Sequence, residues 1–299
     1  MSADLSAFFV VEGPHLEAQG LLLASSLRGH TGDDYTLIAY RPDGPDAPAM
    51  PRVTAEAFAH LGVDLRPLAV DRSFWKKPYP HGNKLFACAA PRATSRHVFL
   101  DTDMVCVAPL DLERRITPTA VSLVPDGTPG WGKGNDRWDR VYGHFDLALP
   151  TDRVRLTRRR RVSYLPYFNA GLIGFHSDPG ASKPFAQLWL ATAREIDWNV
   201  SVAKKRPWLD QIALPVTLKR FGLAYDVLPD VYNFSISDRA FEPDATPKIL
   251  HYHSFTYGPH WPQFKTELAR LNDTLGPARM AVLAPLYDRF WHAATGGTP

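Results

Sequence analysis

His97–Val105, HVFLDTDMV, is the stretch on which the fold of this 299-residue chain turns. His97–Leu100 (HVFL) reads as a short buried strand that runs straight into two carboxylates, Asp101 and Asp103. Residues two apart along a strand project to the same face, so both carboxylates can reach one side of the strand's end. In open α/β sheets that carboxyl edge is where ligands bind. Two adjacent anions repel and are best satisfied by a cation; oxygen ligands suit Mg²⁺ or Mn²⁺, and such an ion usually bridges to a nucleotide diphosphate. The plain alternative is a helix cap or a solvated turn, because an Asp-x-Asp triplet arises by chance in many chains.

Upstream of this turn, strand and helix patterns alternate. Ala7–Val11 (AFFVV) is a strand, Leu16–Leu27 a helix, Tyr35–Tyr40 a strand, Thr54–Leu61 a helix and Leu65–Val70 a short extended run. Lys84–Ala93 is a helix that Pro91 weakens near its end. Such alternation predicts a mostly parallel sheet covered on both faces. Beyond residue 110 the pattern loosens. Ala120–Val124, Ala170–Phe175, Tyr225–Leu228 and Lys248–Tyr252 read as strands; Phe185–Trp198, Leu209–Phe221, Gln263–Asn272 and Met280–His292 read as helices. No linker separates independent domains, so a soft boundary falls near residue 110.

Three other features carry chemistry. His251, in KILHYHS, ends a short apolar run, and an imidazole in a mixed site favours Mn²⁺ over Mg²⁺. His253 can share its face, as a second ligand or as a neighbour that hydrogen-bonds the acceptor. Gly127–Lys133 (GTPGWGK) fits G-x-x-x-x-G-K, but Gly134 follows where a P-loop has Ser or Thr. It reads instead as an acceptor-side loop, with Trp131 as a sugar-stacking platform. Arg158–Arg161, four arginines in a row, reads as a solvated face that could bind an anionic acceptor or an acidic lipid surface.

Composition narrows the classes. Lys plus Arg number 34 against 31 Asp plus Glu, an excess too small for a bulk nucleic-acid binder. Cys88 and Cys106 form no disulfide or metal framework and read as core thiols in a reducing compartment. No run approaches the roughly 18 apolar residues of a spanning helix, and MSADLSAFFVVEGP reads as a first strand rather than a signal peptide. The expected location is the cytoplasm, with any membrane contact peripheral at the inner face.

HVFLDTDMV, YFNAGLIGF, WLDQIAL and KILHY occur in an order that resembles the retaining glycosyltransferases of family 8, as does the opening FFVVEGPHLEAQGLLLASSLRGH. The resemblance covers roughly residues 6 to 255. It implies a GT-A, Rossmann-like nucleotide-diphospho-sugar transferase fold with a central, mostly parallel mixed sheet flanked by helices. It also implies a nucleotide-sugar donor, most often a UDP-sugar, a hydroxyl acceptor, and Mn²⁺ (or Mg²⁺). Carried over by position, Asp101, Asp103 and His251 would hold the metal. Lys84, Thr102, Asn169 and Ala170 would contact the donor, and Asp210 and Gln211 would lie beneath the reacting sugar as the catalytic pair. A crossover helix runs antiparallel to the strand that follows it, so Lys84 at its start would share the edge with Asp101 and Asp103. By themselves, Asp210 and Gln211 are equally a helix start and Asn169 a turn before a strand.

Two stretches depart from the family pattern. His260, beside Trp261, stands where the family has a lysine for the leaving diphosphate, so a protonated His260 or another basic residue has to serve. The first strand ends VVEGP rather than in a threonine-rich turn, which alters the contacts to the base. The expected division is residues 1–110 for the nucleotide-sugar, 111–262 for the acceptor and 263–299 as a C-terminal helical extension. Two competing readings are a nucleotidyltransferase on a related sheet, which would need a glycine-rich basic loop after the first strand, and a non-catalytic nucleotide-sugar binder.

Overall fold

A computed structural model describes residues 4–44, 48–177, 184–237 and 239–295. In chain order its strands are β1 (Leu5–Val10), β2 (Tyr35–Pro42), β3 (Val63–Leu68), β4 (Arg96–Leu100), β5 (Met104–Cys106), β6 (Ala120–Pro125), β7 (Val154–Arg155), β8 (Ser163–Tyr164), β9 (Phe168–His176), β10 (Ala224–Val227), β11 (Phe234–Ser235) and β12 (Ile249–His251). The helices are α1 (Gly13–Thr31), α2 (Arg52–His60), α3 (Asn83–Ala89), α4 (Arg137–His144), α5 (Phe185–Asn199), α6 (Leu209–Phe221) and α7 (Pro262–Thr295).

Seven strands form one sheet in the order β10-β6-β9-β4-β1-β2-β3. All neighbours are parallel except β9, which runs antiparallel to both β4 and β6. The alternation of the central strands explains the two helical layers. Leu5, Ala7 and Phe9 of β1, with Val98 and Leu100 of β4, enter one core; Phe8 and Phe99, between them, enter the other. A strand buried on both faces has no polar side and must be covered twice. One cover is α1, α2 and α7, and the other includes α3, α5 and α6.

Local signals set the helix ends. Pro14 opens α1, where a missing N–H costs nothing. α3 stops at Ala89 because Ala90, which precedes Pro91, is held extended at φ −65° and ψ 145°. Within α7 the expected pair of C-terminal helices is present, divided at non-helical Gly276, whose φ of 74° a side chain would disfavour. Tyr287 of α7 donates a hydrogen bond to buried Glu17 of α1 at 2.6 Å. Among the described residues no helix is long and apolar enough to cross a membrane. Cys88 and Cys106 are buried free thiols, each pushed up to about 12 by burial, so neither is a nucleophile at neutral pH.

The chain leaves the large sheet at the acidic turn. β4 belongs to the seven-stranded sheet, whereas β5, three residues on, pairs with β12 in a small sheet of order β11-β12-β5. Asp101 and Asp103 occupy this crossing between the sheets.

Candidate active site

Backbone hydrogen bonds pin the crossing at both ends. The Asp101 N–H donates to the Gly171 carbonyl of β9 at 2.8 Å, and the Tyr252 N–H donates to the Asp103 carbonyl at 3.0 Å. In the small sheet His251 stands opposite Met104 and beside Ser235. These pairings gather residues far apart in sequence onto one edge. The carboxylates of Asp101 and Asp103 and the His251 imidazole each offer a ligand atom, all within 4.8 Å of one another.

Each side chain is oriented by a further partner. His251 Nε2 lies 3.2 Å from Asp103 Oδ1, and its Nδ1 lies 2.8 Å from the side-chain oxygen of Asn233. That second bond assigns the Nδ1 proton to Asn233 and leaves Nε2 facing the carboxylates. Asn233 in turn donates to Asn169 Oδ1 at 2.9 Å, which also accepts from the Gly171 N–H at 2.9 Å. Burial opposes ionisation of Asp103, yet the adjacent His251 charge and hydrogen bond outweigh it and hold the carboxyl well below its usual range. Burial likewise opposes a charge on His251, and Asp103 reverses that, raising its pKa. Burial raises the Asp101 carboxyl, a push that Lys84 opposes and the Asp103 charge reinforces.

Lys84 links the crossing to α6. It lies in the first turn of α3, buried, with Nζ 2.9 Å from Asp101 Oδ1 and 3.0 Å from Asp210 Oδ2, and it donates to the Ala170 carbonyl at 3.2 Å. Burial disfavours its charge, but the two carboxylates outweigh burial and raise its pKa, so the ammonium persists at neutral pH. Asp210, in the first turn of α6, also accepts from the Tyr79 hydroxyl at 2.7 Å. The next side chain, Gln211, donates to Asp126. Asp101, Asp210, Asp126 and Asn169 all border a cleft of about 750 Å³, a size typical of small-molecule sites.

The family model of the Rhodobacterales glycosyltransferase domain matches residues 7–222. The chain belongs to that family. No curated protein matches this glycosyltransferase in sequence. Solved structures match it in fold. LgtC, a galactosyltransferase crystallised with donor and acceptor sugar analogues, aligns at TM-score 0.58 and 13% identity over 93% of this chain and 99% of its own. The bifunctional glycosyltransferase WbbM aligns at 0.57 and 14% over 94% of this chain and 51% of its own. GlyE of Streptococcus pneumoniae TIGR4 aligns at 0.52 and 16% over 95% of this chain and 63% of its own. At such identities the likeness shows the fold, which is GT-A.

The glycosyltransferase brings most of the expected residues together: Lys84, Asp101, Asp103, Asn169, Ala170, Asp210, Gln211 and His251 all line the cleft. Thr102 also borders it, although its hydroxyl donates to Gln19 of α1 at 3.0 Å. His260 is not brought there. It is exposed at the end of the Phe255–His260 turn, because the fully buried Trp261 behind it packs inward on Phe234 and Phe241. Trp131 is no stacking platform: it is 1% exposed, donates to the Lys204 carbonyl and packs edge-on against Trp138. The exposed aromatic on the cleft is Trp208.

Three site residues carried no assigned role in the sequence reading, and a fourth was singled out only as part of a run. Asn233, Tyr79 and Asp126 act through side chains that reach His251, Asp210 and Gln211 from other elements, so no spacing marks them. Arg158 lay in the arginine run, where its neighbours disguise it: Arg159, Arg160 and Arg161 are exposed, and Arg158 alone of the four lines the cleft.

Proposed function

We propose that this glycosyltransferase moves a sugar from a nucleotide diphosphate donor, a UDP-sugar, to a hydroxyl acceptor with retention of configuration, and that it uses Mn²⁺ or Mg²⁺. The observation that carries this reading is the convergence of Asp101, Asp103 and His251 at the carboxyl edge of a parallel sheet, beside a cleft of nucleotide-sugar size. Two carboxylates and an oriented imidazole are a donor set that fits a borderline-hard divalent ion. When bound, such an ion supplies Lewis-acid neutralisation of the charge that grows on the leaving diphosphate.

The chain's own residues would do the rest. Glu12 and Asn83, hydrogen-bonded to each other at 3.1 Å on the cleft wall, present an acceptor and a donor to the base. Asn169 and Asp210 would hold sugar hydroxyls, and Gln211 would face the reacting carbon. Trp208 would offer its ring face to the acceptor. Asp210 is committed on both oxygens, to Lys84 and to Tyr79, and Asp126 accepts from Gln211 and from the Thr128 N–H. Neither is poised to add covalently, which favours attack on the same face as the departing diphosphate. In this reading residues 1–110 serve the donor, 111–262 the acceptor, and 263–299 form a helical extension.

UDP release from a panel of UDP-sugars with Mn²⁺ tests the proposal, and metal-dependent release from at least one sugar is expected. Tight UDP binding without turnover would favour a non-catalytic binder; pyrophosphate release from a nucleoside triphosphate would favour a nucleotidyltransferase.

Gly171 supplies a separate check on the metal residues. A Cβ there would stand 2.8 Å from both Asn169 Oδ1 and His251 Cε1. Gly171→Ala must therefore displace groups that hydrogen-bond one another through Asn233. Loss of such supporting contacts typically costs 10–100-fold in metal affinity, so a Mn²⁺ titration of the variant should show a drop of about that size. Unchanged affinity would separate Asn169 and His251 from metal binding.

A further inference from the structure

We propose that Arg158 selects an acceptor carrying a carboxylate or a phosphate, an inference that rests on the glycosyltransferase reading of the cleft. Two full cations line the cleft, Lys84 and Arg158. Lys84 is saturated by Asp101, Asp210 and the Ala170 carbonyl. Arg158 is not. Its guanidinium donates to the Ser235 hydroxyl at 3.3 Å and to the Ser237 carbonyl, both neutral, and among the described residues it forms no ion pair with a carboxylate.

The position is built rather than incidental. β7 and β8 pair antiparallel as the base of a hairpin whose tip holds the arginines. The Thr157 and Arg158 N–H groups donate to the Asp126 and Gly127 carbonyls, both at 3.0 Å, fastening that tip to the cleft loop. The Arg158 stem then crosses Gly127, where a Cβ would stand 2.9 Å from Arg158 Cδ. Nearby, Arg239 has a buried Nη1 without a hydrogen-bond partner. Burial, joined by the charges of Arg158 and Arg161, lowers the Arg239 pKa despite Asp230 and despite Glu242, its ion-pair partner at 3.4 Å. The cleft wall thus carries, in Arg158, a guanidinium met only by neutral acceptors. A guanidinium meets a carboxylate or phosphate through two parallel charge-assisted hydrogen bonds, a stronger pairing than the neutral ones it makes here.

Charge also separates the two substrates. The sugar end of the donor would meet Asp210 and Asp101, both already engaged by Lys84, which leaves that cation no free face for an acidic donor sugar. Arg158 lies instead against Ser235 and Ser237, neighbours of His251 and His253 on the small sheet. An anion on the acceptor would meet the uncompensated cation without meeting the acidic cluster.

The test uses the full chain saturated with UDP and Mg²⁺, which fills the nucleotide and diphosphate part of the donor site. D-glucuronate, glucose 6-phosphate and D-glucose are titrated in turn by saturation-transfer NMR, on wild type, Arg158→Gln and Arg160→Gln. Arg160→Gln makes the same charge change on an exposed neighbour. At least one acidic sugar should bind wild type tenfold or more tightly than glucose, and Arg158→Gln alone should remove that preference. Equal binding of acidic and neutral sugars, no binding by either acidic sugar, or equal loss in Arg160→Gln would overturn the inference. A companion titration compares UDP-glucuronate with UDP-glucose. If Arg158 reads the donor, the acidic donor binds more tightly and Arg158→Gln erases the difference, which overturns the acceptor assignment. Failure of wild type to bind UDP at all would instead overturn the UDP-sugar reading of the cleft on which the inference rests.

Discussion

Lys84→Met should reduce donor turnover by about 10²–10³-fold, the usual scale for removing one preorganised charge from a site, and should also destabilise the fold. Methionine approximates the apolar lysine stem, so the main loss is electrostatic and includes the contact of the ammonium with the Phe99 ring. Without the ammonium, Asp101 and Asp210 are left close together with their shared counter-ion gone. Breaking a buried ion pair from one side typically costs 3–5 kcal/mol. Because Asp101 is 28% exposed, water can screen part of the residual charge, so about 3 kcal/mol is the expected loss in a urea unfolding curve. Asp101, whose carboxyl Lys84 helps to keep ionised, would also take up a proton more readily, so residual turnover should be lost further as pH falls through the acid range. Wild-type turnover by a folded Lys84→Met protein would remove Lys84 from the site.

Asp103→Asn should abolish metal-dependent donor hydrolysis while leaving the fold intact. The amide has the shape of the carboxylate but not its charge, so a ligand is weakened without a cavity. If the site contributes several kcal/mol of charge stabilisation, losing it costs on the order of 10³-fold or more in rate. The bond that ties the crossing to β12 runs from the Tyr252 N–H to the Asp103 backbone carbonyl, and the substitution does not touch it. The fold should therefore persist, with a lowered unfolding midpoint because buried His251 loses its ion-pair partner. Asp101→Asn likewise strips Lys84 of a partner and should lower stability as well as rate. Retained Mn²⁺-dependent hydrolysis in Asp103→Asn would dismiss the metal-site assignment.

Much of the first half was legible in the sequence because its signals are local. Alternating apolar strands and helices call for a two-faced parallel sheet, and a strand that ends in Asp-x-Asp points both carboxylates off its edge. Lys84 came from the family resemblance, with the direction of a crossover helix in support. The second half read less well because its contacts are not local. Nothing in YFNAGLIGF says that β9 runs antiparallel between two parallel blocks, and α4 is too polar for its apolar stripe to stand out. Trp131 in a glycine-rich loop looked exposed, yet the ring found a buried partner in Trp138. His260 lay at a suitable spacing, but Trp261 won the interior and turned it outward.

The sequence by itself determined the α/β class, the acidic turn after HVFL and the identity of the residues able to hold a metal. These depend on periodicity, strand direction and side-chain chemistry, all of which act over a few residues. Tertiary structure alone decided what those residues meet: His251 brought to Asp103 by pairing of β12 with β5, Asp210 brought to Asp101 across Lys84, and one arginine of four laid over Gly127 into the cleft. Each is a contact between segments distant along the chain. Its energy depends on how two sheets and a helix layer pack, and no local pattern encodes that.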